Sequence, residues 1–137
     1  MSEFEPTLRE LLSVGHTARF RAAGDSMYPG IRGGDYLHIV PCAVSELRRG
    51  DIILAAMERG LTAHRIVRIS ERGGTLRITM RGDNSLRSDR PVAAADVIGR
   101  VARVERTANA GKTPSESATI IRFAAVLVRR LRSRFQQ

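Results

Sequence analysis

The stretch Thr17-Ala18-Arg19-Phe20-Arg21-Ala22-Ala23-Gly24-Asp25-Ser26-Met27-Tyr28-Pro29-Gly30 decides how this chain is read. From Thr17 to Ala22 the residues alternate, with Ala18, Phe20 and Ala22 on one side and Thr17, Arg19 and Arg21 on the other. That is the period of a strand with one face in a core. Gly24 then lets the backbone bend, and Pro29-Gly30 stops the element. A hydroxyl on so rigid a bend can serve as a nucleophile, and the backbone N–H groups beside it can receive a developing oxyanion. An ordinary turn serine has the same local sequence, so the rest of the chain has to separate the two readings.

Outward from this bend the same pattern recurs. Arg32-Gly33-Gly34-Asp35 is a turn, followed by a strand over Tyr36 to Val40 with Leu37 and Ile39 inward and His38 facing solvent. Gly50-Asp51 opens an apolar run from Ile52 to Met57, and Glu58-Arg59-Gly60 connects it as a hairpin to a strand over Leu61 to Ile69. On that strand His64 and Ile66 share one face. Thr75 to Arg81 alternates with Leu76, Ile78 and Met80 inward, and after the loop Gly82 to Pro91 a last strand covers about Val97 to Glu105. Short strands at regular spacing with Gly-rich turns predict a mainly β domain of coiled antiparallel sheets over residues 1–105.

Helices are expected only at the ends. Residues 6–14 carry Leu8, Leu11 and Leu12 on one face, with Thr7 and Glu10 at capping-box spacing. Residues 106–113 form a small-residue linker, and Thr113, Pro114 and Glu116 start a basic amphipathic helix over 114–137. Its longest uninterrupted apolar stretch, Phe123 to Val128, is far below the roughly 20 residues that cross a bilayer. The helix is expected to pack on the domain, pair with a partner, or lie on an anionic membrane surface.

With 137 residues, 42% of them hydrophobic, the chain is long enough for one domain with a real core and too short for two of ordinary size. The single cysteine, Cys42, excludes an internal disulfide framework and reads as a small, buried or half-buried apolar residue. No apolar run marks the N-terminus, so the expected location is cytoplasmic, with peripheral membrane contact through residues 114–137. The net charge of +9 rests on arginines scattered along the chain, and with 4% aromatics there is no platform for stacked bases. A solvated basic surface is therefore expected, not a nucleic-acid partner.

A serine needs a base to take its proton. Arginine stays protonated, and Lys112, the only lysine, lies in the linker outside the β domain. His16 falls in the loop after the first helix and His38 on a solvent face, which leaves His64, mid-strand in another β element. An imidazole base needs a third group to fix its tautomer, and Asp83 and Asp89 are the nearest acids in the sequence. Asp83 is preferred because its turn follows a strand directly.

The ordered boxes Gly24-Asp25-Ser26-Met27-Tyr28-Pro29, Gly34-Asp35, Gly50-Asp51, Ala63-His64-Arg65-Ile66, Gly82-Asp83-Asn84 with Asp89, and Ile98-Gly99-Arg100-Val101 resemble those of the type I signal peptidase and LexA-like serine protease superfamily. The resemblance covers roughly residues 17–105 and is far more specific than any single box. It implies Ser26 as nucleophile, His64 as general base and Asp83 or Asp89 as the supporting acid. The histidine box is similar to that of the archaeal and endoplasmic-reticulum signal peptidases. Gly24, two positions before the serine, removes the side-chain hydroxyl donor of many signal peptidases, which leaves the backbone N–H groups of Asp25 and Ser26 for the oxyanion hole. Met27 and Tyr28 are expected to meet the substrate. Neither a membrane anchor nor a DNA-binding domain precedes the serine box in this sequence. The expected activity is thus a serine endopeptidase acting on an extended peptide or protein, with no cofactor and no metal. The competing class is a non-catalytic basic β module that binds nucleic acid or a partner protein.

Overall fold

The computed structural model describes residues 4–106 and two dipeptides further on, 121–122 and 129–130. Apolar alternation sets the strands: β1 (His16–Ala22), β2 (Tyr36–Val40), β3 (Ile52–Met57), β4 (Gly60–Arg72), β5 (Thr75–Arg81) and β7 (Val97–Glu105), with the two-residue β6 (Val92–Ala93) between the last pair. All pairings are antiparallel, and the sheet runs β6-β5-β4-β3-β7-β2-β1. The mainly β architecture is as the sequence predicts.

Two cores lie on the curled sheet. Ala18, Phe20 and Ala22 of β1 meet Leu37, Ile39, Leu54, Leu61 and Ala63 in the first. Ile53 and Ala55 of β3 turn the other way and join Ile66, Ile78, Met80 and Val92 in the second. The period of two thus splits β3 and β4 between both cores, which fixes their register, because a slip of one residue would exchange every inward and outward side chain. Cys42 is half-buried against the second core, and burial pushes its thiol above the ordinary value, so it behaves as a small apolar residue.

The helix α1 (Phe4–Ser13) starts earlier than the sequence predicts. Thr7 therefore lies inside the helix and does not cap it. Tertiary contact decides the boundary: the Phe4 ring meets Phe20 edge-on at 5.5 Å between centroids, and Leu8 and Leu12 close over the first core. Leu11 is only half-buried.

Two further expectations change. His38 is half-buried, not fully exposed: its Nε2 lies 2.9 Å from Glu105 and 3.1 Å from Arg103. The helix expected over 114–137 lies outside the described residues except at four positions. There Ile121–Arg122 (β8) and Arg129–Arg130 (β9) are short strands, both antiparallel to β1. No helix among the described residues is long and apolar enough to cross a membrane.

Candidate active site

Ser26 stands four residues beyond the end of β1, on a turn tied down on every side. Ala22 donates its N–H to Asp35 O at 2.7 Å and receives that of Gly34 at 2.8 Å, which locks the end of β1 to the start of β2. Gly24 bends the chain with φ at +81°, a region that side chains strongly disfavour. Tyr28 N–H then closes the turn on Asp25 O at 3.0 Å, and Met27 and Ile31 anchor it in the first core.

A second loop holds the turn from above. Asn84 donates its backbone N–H to Ser26 O at 2.8 Å and its side-chain amide to Asp25 O at 3.2 Å. Asp83 N–H points at Met27 Sδ, 3.3 Å away. The approach is so close that a Cβ on Gly82 would stand 2.6 Å from Ser26 O and 3.1 Å from His64 Nε2, which only glycine permits.

β4 delivers the imidazole. Ser26 Oγ and His64 Nε2 are 2.9 Å apart, and the two residues are only 4% and 6% exposed. Asp89 Oδ2 lies 2.5 Å from the other ring nitrogen, Nδ1. A carboxylate can only accept from Nδ1–H, so the neutral ring presents a lone pair at Nε2 to the serine hydroxyl. Asp89 is itself fixed by its N–H to Met80 O at 2.8 Å. The array is therefore Ser–His–Asp in geometry, with a hydroxyl, an imidazole and a carboxylate each on a different element.

Asp83 makes a different contact. Both its oxygens accept from Arg65, at 2.9 and 2.8 Å, and its carboxylate raises the guanidinium's pKa above the ordinary value. Arg65 also reaches Gly50 O at 2.8 Å, so the pair ties the 82–85 loop to the turn before β3. The structure sets Asp89, not the preferred Asp83, against His64: Asp83 is held by Arg65, and the loop to residue 89 returns to the ring. Met27 is corrected too. It is fully buried and supports the turn from within, whereas Tyr28 is 48% exposed at the rim. Asp25 and Ser26 lie at the turn where their backbone N–H groups are expected to serve an oxyanion. Gly82 and Asn84 belong to a box visible in the sequence, but their work is done by close backbone contact, which no residue type announces. Among the described residues no cluster of His, Cys, Asp and Glu could hold a metal ion.

Fold and site together define a curled antiparallel β domain with a serine, a histidine and an aspartate in hydrogen-bonded sequence. The family model for Peptidase S24-like proteins matches residues 3–102, and the chain belongs to that family. No curated protein and no solved structure gives a significant match.

Proposed function

We propose that the protein is a serine endopeptidase in which Ser26 attacks the scissile carbonyl, His64 takes its proton and later gives it to the leaving amine, and Asp89 holds the ring. The peptide's acyl group passes to Ser26 Oγ, the amine leaves with the proton from His64, and water then releases the acid by the reverse route. The single observation that carries this reading is the 2.9 Å contact between Ser26 Oγ and His64 Nε2 with Asp89 on the far side of the ring. Histidine as base matches the archaeal and endoplasmic-reticulum kind of signal peptidase more closely than the lysine kind. The backbone N–H groups of Asp25 and Ser26 are the proposed oxyanion donors. The proposed substrate is an extended chain that pairs with a strand edge beside the site, met by a cytoplasmic or peripherally membrane-bound enzyme. Cleavage of a peptide library by the unmutated protein, and none by Ser26→Ala, tests this.

One observation favours a second reading, a basic module for the phosphates of nucleic acid. Arg68, Arg72 and Arg77 line a cleft on β4 and β5 together with Ser70 and Thr79. Among the described residues Glu71 is the only acid on its wall. Guanidinium forks and hydroxyls together suit phosphate oxygens. Retention on nucleic acid that weakens with salt, survives Ser26→Ala and is lost on replacing these arginines would support it.

A further inference from the structure

Two strand edges frame the candidate site. On one side, both backbone groups of Ala22 point toward β2, as its bonds with Asp35 and Gly34 show. Antiparallel alternation therefore turns the N–H and C=O of Arg21 to the outer edge of β1. On the other side, β4 pairs with β3 from Gly60 to Arg65, whereas β5 joins β4 only from Arg65 onward. The second edge of Gly60–His64 thus has no partner in β5. The strand β8 sits between the two. It pairs with β1 at Arg21↔Arg122 and Ala22↔Ile121, and it also lies against β4. β1 leads into Ser26, and β4 carries His64.

We infer that residues 121–122 occupy the groove in which an extended peptide binds, so that the chain's own C-terminal segment competes with substrate. This rests on the peptidase reading and adds regulation of the same site. Strand addition draws its affinity from the main-chain hydrogen bonds of an open edge, and one edge cannot accept two strands. A segment of the same chain competes as an intramolecular ligand, so even weak pairing counts against a free peptide. The described pairing covers two residues, and local opening of such a contact would readmit substrate. The apparent affinity for substrate falls by the fraction of molecules in which the groove is open, and a segment docked about nine-tenths of the time weakens it roughly tenfold.

Arg122→Pro in the full chain tests this, because proline removes the N–H that faces Arg21. The expected result is a fall in KM of about tenfold with kcat unchanged. A synthetic peptide copying residues 116–126 should then restore inhibition in trans, and the same peptide with proline at position 122 should not. Hydrogen exchange at the Arg21 amide reads docking without any activity: it should be slow in the unmutated chain and fast in Arg122→Pro. Fast exchange in the unmutated chain overturns the docking. Slow exchange released by proline, with KM unmoved in an active enzyme, overturns the competition. No cleavage by either chain overturns the peptidase reading and the inhibitory role with it, and the exchange result then judges the docking alone.

Discussion

Asp89 meets His64 on the ring nitrogen opposite Ser26, so one imidazole bridges an acid on the 82–91 loop and a hydroxyl at the end of β1. The arrangement fixes the tautomer before any substrate arrives. Asp89→Asn should therefore lower kcat/KM by about 10²–10⁴-fold, because an amide can stabilise the wrong tautomer and no longer supports the imidazolium. Asp83→Asn should leave most of kcat and instead lower stability by about 1 kcal/mol, the scale of a partly exposed ion pair. Steady-state kinetics and thermal melts of both variants check this, and the opposite assignment of effects would return the orienting role to Asp83.

Gly82 separates backbone packing from side-chain chemistry. A methyl group there would stand 2.6 Å from Ser26 O and 2.9 Å from Ser85 Oγ, so one of the two loops must move. Overpacking of this kind costs about 1–3 kcal/mol, and the movement lengthens the contact between serine and histidine. Gly82→Ala should lower both the melting temperature and kcat. A variant with unchanged kcat would show that the 82–85 loop does not set the geometry of the site.

Glu105 gives the fold a pH dependence of its own. Its hydrogen bond from His38, then that from Arg19, holds its carboxyl below the ordinary value of 4.5. A folded-state pKa depressed in this way contributes stability that is complete above the unfolded value and is lost as the pH falls through the folded one. At neutral pH Glu105→Gln should melt below the unmutated protein, and the gap should close on acidification below about pH 4. Melting curves across pH test this, and a gap that stays constant into acid would remove Glu105 from the account.

The sequence exposes what repeats and hides what is made by contact. Alternation at Ala18, Phe20 and Ala22, and again at Leu76, Ile78 and Met80, states the strands almost to the residue, because one buried face imposes a period of two. The pairing of Ser26 with His64 could be reached by eliminating other bases and by the resemblance of the ordered boxes. The choice between Asp83 and Asp89 could not, since it depends on how a ten-residue loop returns over a ring. Met27 looked like a substrate contact because it follows the serine. Its direction is set by the turn, which drives it into the core. The start of α1 at Phe4 was hidden for a similar reason, since a ring packing on Phe20 extends the helix past its local capping signal.

His64 can be isolated as the base by comparing the three histidines. His64→Ala should cost on the order of 10²-fold or more in kcat/KM. His38→Ala disturbs the Glu105 cluster, and His16→Ala the first residue of β1, so both should retain most activity. Full activity in His64→Ala would leave Ser26 without its base.

The central claim is that Ser26 is a peptidase nucleophile, and incubation of a peptide library with the unmutated protein and with Ser26→Ala, read by mass spectrometry, tests it most directly. New termini should appear only with the unmutated protein, while Ser26→Ala keeps its fold and changes stability by about 1 kcal/mol or less. Identical cleavage by both proteins, or none by either, would contradict the claim.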